Sequence, residues 1–163
     1  MELSFEKLPK NLDEMMATPY ASLNQPEYGA ALFVAAMMTY DEDREAAFKM
    51  VEFLMGPAGL NPYTKQFLND RMQDGKSYVV RSYFKGSSPK NNYQPSEPYT
   101  TVDIEQRADS MVEGRCRLWM QSTGADSKRE IRMRLKTSTN QWFVEDQMLL
   151  AGIRMPEALD PWA

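Results

Sequence analysis

The sequence predicts an α+β fold, with N-terminal helices packed on a C-terminal antiparallel sheet. Two observations carry this prediction. The spacing of apolar residues changes from helical to alternating near Gly75. Cap-then-proline signals punctuate the first half, and short turns separate alternating segments in the second. Helices first and strands later give segregated layers rather than a parallel α/β sheet. The 163 residues suit one domain. It divides into a helical part over 1–75, a sheet part over 76–147 and a tail over 148–163.

Asn11 to Met16 reads as a short helix or turn, ended at Thr18-Pro19 because proline forces the residue before it out of helical geometry. Pro26 opens a second helix, running to about Tyr40. It is apolar nearly all round from Ala30 to Met38, so it belongs at the centre of the fold. Those nine residues are too few to span a membrane, which takes about 20. Asp41 is the expected cap of a third helix, whose Ala47, Met50, Val51 and Leu54 form an inward stripe. Gly56-Pro57 stops it. Asn61-Pro62 opens a fourth helix, with Tyr63, Phe67, Leu68 and Met72 expected to face inward. The three helices from Pro26 onward thus occupy about 26–73.

From Ser77 the period becomes two, and a sheet of four or five strands is expected over about 77–146. The first strand would set Val80 and Phe84 against Arg81, Tyr83 and Lys85. Residues 86–98 hold three prolines and read as a long loop. The remaining strands would run over 99–106, 115–123, 130–137 and 141–146. Their alternation puts Leu118, Ile131, Met133 and Trp142 in the core with Phe33, Val34, Met37, Val51, Leu54, Phe67 and Val80.

The C-terminal third is distinctive. An arginine-alternating strand, Arg129 to Lys136, precedes Trp142-Phe143-Val144, then Ala151-Gly152-Ile153-Arg154-Met155-Pro156 and Asp160-Pro161-Trp162-Ala163. This part resembles an uncharacterised bacterial family of domains of unknown function. The resemblance implies a bacterial origin and an α+β fold, and brings no activity with it. Helices followed by a curved antiparallel sheet are also similar to the nuclear transport factor 2-like (cystatin-like) superfold.

Composition excludes much chemistry. There is no histidine, which removes the commonest general base and metal ligand. The one cysteine, Cys116, has no partner for an internal disulfide, and it falls on an apolar strand face. Gly56-Pro57-Ala58-Gly59 lacks the lysine of a phosphate loop. No catalytic, cofactor or metal residue is expected. An N-terminus with early acids and no apolar core run does not read as a signal peptide, so a cytoplasmic setting is expected. The net charge of −4 disfavours nucleic acid as a partner. That charge is uneven: residues 1–75 carry −6 and residues 76–163 carry +2.

One surface stands out. Arg81, Tyr83, Arg115, Arg117, Trp119, Arg132 and Arg134, flanked by Lys85 and Lys136, fall on the polar side of the predicted strands. Arginine beside an aromatic ring suits an anionic ligand or a protein hot spot. Two readings of Trp119 stand side by side: the apolar tail covers it, or its ring marks a binding surface. Asp103 and Glu105 share a face and are expected to form cross-strand ion pairs with arginine. The resulting reading is a non-enzymatic domain that binds a protein or a small anionic ligand. The alternative is an enzyme with a pocket between helices and sheet, working through Tyr, Asp and Arg. Nucleic-acid binding through the basic face ranks last.

Overall fold

The computed structural model describes residues 1–163 and is α+β. Strand β1 (Ser4–Phe5) is followed by α1 (Leu12–Met16), α2 (Pro26–Met37), α3 (Arg44–Leu54), α4 (Pro62–Met72) and α5 (Tyr78–Arg81). The strands β2 (Tyr99–Thr100), β3 (Ile104–Val112), β4 (Arg115–Met120), β5 (Arg129–Lys136) and β6 (Gln141–Gln147) complete the chain. β3 to β6 form a four-stranded antiparallel sheet in sequential order. β1 and β2 make a separate two-stranded ribbon.

α2 is the centre. Every residue of it except Tyr28 is buried. It lies on the sheet face that carries Cys116, Leu118, Ile131, Met133 and Val144. The approach depends on Gly29. A Cβ there would stand 2.6 Å from Cε of Met133 and 3.1 Å from the backbone oxygen of Trp142. Leu23, just before the helix, accepts the N–H of Trp142 at 2.7 Å, so the chain entering α2 is stitched to the edge of the sheet.

The caps follow the sequence with one displacement. Asn11 and Asn61 cap α1 and α4 by accepting the N–H of Glu14 and Thr64. Asp43, not Asp41, caps α3, through the N–H of Ala46 at 3.1 Å. The chain leaves α2 in turns that place Asp43 at the first residue with extended geometry, and Asp41 instead accepts from the Ser77 hydroxyl.

Two strand assignments are corrected. Residues 77–85 form α5 and a turn, not a strand. Val79, Val80, Tyr83 and Phe84 are all buried. That i, i+1, i+4, i+5 spacing is one side of a helical turn, although their β-branched and aromatic character favours a strand. Ser82 fastens the segment, bonding to the Val79 carbonyl and to Ser122. The expected strand over 99–106 is split: Tyr99–Thr100 pairs with β1, and the sheet strand starts at Ile104 and runs on to Val112. Its ladder with β4 breaks between Gln106 and Met111, which hides it from a period-two reading.

All of the expected core is buried except Phe67, which is 37% exposed. On α4 only Leu68 and Met72 are buried, and Tyr63 is 83% exposed. The inward placement of Tyr63 and Phe67 is therefore corrected: α4 stands at the rim of the core and touches it along one side.

Gly29→Val should destabilise the protein by about 1–3 kcal/mol, because the added side chain meets a backbone oxygen that cannot yield. Helix propensity alone would make the substitution favourable. Urea unfolding read at Trp fluorescence measures the difference. An unchanged or higher midpoint would overturn the close packing of α2 on β6.

Candidate functional site

The polar face of the sheet is built by strand alternation. Arg115, Arg117 and Trp119 project from β4 on the side opposite Cys116, Leu118 and Met120. Register then fixes their neighbours. Arg115 stands directly opposite Arg134, Arg117 opposite Arg132, and Trp119 opposite Glu130. Four guanidinium groups are thus collected as two cross-strand like-charge pairs.

Two carboxylates serve three of the four. Glu145 holds Arg115 at 3.0 Å. Glu130 lies 3.4 Å from Arg132 and 3.9 Å from Arg117. Arg134 has no ion pair. An open hollow of about 440 Å³ is lined by Arg115, Arg117, Arg132 and Glu145 of this face and reaches Cys116 and Met133 of the other.

Trp119 is half-buried at one end of the array. The Arg107 guanidinium lies 4.0 Å from its ring centre and that of Arg117 5.3 Å away. Arg107 sits where β3 leaves its regular ladder, just past the boundary at Gln106 that the sequence suggests. The tail does not lie over this ring. Leu149 accepts the buried Tyr83 hydroxyl, and Arg154 bonds back to Gly124 at 2.9 Å and accepts the Tyr93 hydroxyl at 2.6 Å. Arg129 clamps the same segment through the carbonyls of Ala151 and Gly152. The tail is therefore fastened to the α5 segment and the 122–125 turn.

Two residues of the predicted surface leave it. Tyr83 is fully buried, which pushes its phenol above the ordinary range. Arg81 belongs to α5, where its guanidinium donates to Ser77 and to the Asn92 carbonyl. Burial lowers its pKa, and the Asp41 charge offsets part of that effect. Both corrections follow from α5 replacing the expected first strand. Lys85 likewise pairs with Glu2 rather than joining the sheet face.

Asp103 and Glu105 are bridged by Lys128, whose Nζ lies 3.0 Å from one and 2.8 Å from the other. Their partner is thus a lysine entering β5, with Arg107 a further 3.5 Å neighbour of Glu105, rather than a cross-strand arginine. Burial alone would raise the Asp103 pKa, but hydrogen bonds from the Met1 ammonium and Lys128 bring it below its usual value. The Lys128 hydrogen bond does the same for Glu105, and both carboxylates raise Lys128.

Cys116 is buried beneath this layer. Burial, then the charge of Glu27, pushes its thiol up to about 11. Glu27 is the buried acid that an apolar-run reading passes over: it lies in the first turn of α2, where the helix dipole favours an anion, and its Oε1 has no hydrogen-bond partner.

The model of the domain of unknown function DUF6935 matches residues 7–157, so the chain belongs to that family. No curated protein and no solved structure matches it.

Two predictions follow from these environments. The lowered pKa values of Asp103 and Glu105 stabilise the fold above the ordinary carboxylate values of 3.8 and 4.5, and this contribution is lost as pH falls through the lower folded values. Lys128→Met should therefore lower Tm at pH 7, with the gap from wild type closing as pH falls below the ordinary carboxylate values. A gap that widens in acid would contradict the bridge. Second, the Cys116 thiol should resist iodoacetamide at pH 8 in the native state and react readily in denaturant. Rapid native alkylation would show that the strand face is not closed.

Proposed function

We propose that this domain is a non-enzymatic binding module whose arginine face receives the acidic surface of a partner protein. The observation that carries this reading is the pairing of Arg115 with Arg134 and of Arg117 with Arg132. Like charges directly opposite each other in a ladder are destabilising. Solubility needs charge but does not need it in this arrangement. A partner carrying carboxylates would neutralise the array and take the bidentate geometry that guanidinium offers. Trp119, with the guanidinium groups of Arg107 and Arg117 over its ring, supplies an apolar anchor at the end of the same face. The net negative charge of the chain favours a protein over nucleic acid, whose phosphates the remaining surface would repel. A cytoplasmic setting belongs to the same proposal, resting on a single cysteine with no partner in the chain.

Arg134→Glu tests the balance directly. It replaces a repulsive cross-strand pair with an attractive one, so stability should rise by about 0.2–1 kcal/mol. Binding of polyglutamate, measured by fluorescence anisotropy at low salt, should weaken, and in the wild type it should fall as salt rises. A variant that is less stable and binds polyglutamate as before would refute the reading.

A further inference from the structure

We propose that the cleft between α4 and the edge strand β6 binds a small organic cation: an ammonium group on a single-ring or short-chain apolar body. This site meets the arginine face only through Glu145 and does not depend on the reading above.

The cleft has a volume of about 230 Å³. An apolar cavity of about 150 Å³ accepts a benzene ring, so one ring and a short chain fit here. Its apolar walls come from α2, α3 and β6 through Phe33, Val51 and Val144, and from α4 through Leu68. Its mouth is formed by Tyr63 and Phe67, the two aromatic residues of α4 that the core does not take in. Exposed rings beside a formed apolar cavity are the arrangement expected of a ligand site rather than of a solvated helix face.

The charge of the lining selects the ligand. The lining includes two acids, Glu145 and Asp146, and no base. Glu145 is committed to Arg115. Asp146 has no ion pair: Arg132 stands opposite it in the ladder and turns to Glu130 instead. Asp146 accepts only the N–H of Gln147, at 2.8 Å, which leaves lone pairs for a further donor. Of the two rings, Phe67 already carries the Arg71 guanidinium 5.3 Å from its centre. No cation stands over Tyr63. A free carboxylate and an open aromatic face flanking an apolar cavity match an ammonium group by charge and by cation–π attraction. An anion would meet two carboxylates, and a neutral isostere would forgo both attractions.

The test is a titration of the ¹⁵N-labelled full chain, followed by amide chemical shifts, with phenethylammonium and with its neutral isostere 2-phenylethanol. The ammonium should shift the amides of Thr64, Phe67, Val144 and Gln147 and bind about fivefold tighter than the alcohol. Asp146→Asn should narrow the gap between the two affinities, leaving the part that Tyr63 supplies. Tyr63→Ala should weaken the ammonium about two- to fivefold. Both substitutions fall on exposed residues, and unchanged spectra in the absence of ligand will show that the fold is kept. The proposal is overturned by an absence of shifts, by shifts centred on β4 and Trp119, by equal affinities in the wild type, or by discrimination that Asp146→Asn leaves undiminished.

Discussion

The seating of α2 on the sheet is the constraint from which the rest of the structure follows. A helix buried on all sides has no solvent face, so everything around it must cover it. The sheet covers one side through Leu118, Ile131 and Met133, and α3 covers another through Ala47, Met50, Val51 and Leu54. Gly29 lets the helix backbone approach β6, and the Leu23 carbonyl takes a sheet-edge N–H that would otherwise be bare. Gly56 repeats the device at the end of α3. Its φ of +60° suits glycine, and a Cβ there would meet the Phe143 ring at 2.6 Å. The edge strand is therefore closed at two points by glycines that admit close contact.

The same packing explains why the tail is ordered structure rather than a loose end. Leu149, Leu150 and Ile153 are buried, and their backbone is held from four directions, by Tyr83, Tyr93, Arg129 and Gly124. The aromatic stack of Tyr78 on Tyr93 backs this latch. Residues 77–93 thus serve as the socket for the tail. The compact turn geometry of α5 suits that role, since it turns Val79 and Val80 to one side where an extended strand would put them on opposite sides.

Legibility in the sequence tracks how local the determining interaction is. The apolar run of α2, the Asn11 and Asn61 caps and the alternation of β4 and β5 are set by neighbours along the chain, and each is readable from it. Three features were not readable. Residues 77–85 have strand-like composition, and only their contacts with Ser122 and the tail select a helical turn. Arg107 reaches Trp119 from the point where the β3 ladder breaks, and no alternation pattern encodes that break. Tyr63 and Phe67 share a stripe with Leu68 and Met72, and the pattern cannot tell which part of that stripe the core will accept. The signal for Arg107 was present in one respect: it has the strand parity of Glu105.

Filling the space between helix and sheet has a consequence for where this fold can meet other molecules. The apolar face of the sheet is occupied by α2, and the N-terminal ribbon and the tail close the neighbouring sides. What remains are the outer face of the sheet and the gap where α4 lifts away from β6. They differ in chemistry for a simple reason. The outer face alternates with the core, so it must be polar, and it is cationic because arginine fills its alternate positions. The gap is lined from the core side, so it must be apolar, and it is acidic because the bulge at Val144–Asp146 brings two carboxylates to its lip. One strand, β6, borders both. Glu145 ties to Arg115 on the outer face while lining the gap, so charge at either place is felt at the other through a single ion pair.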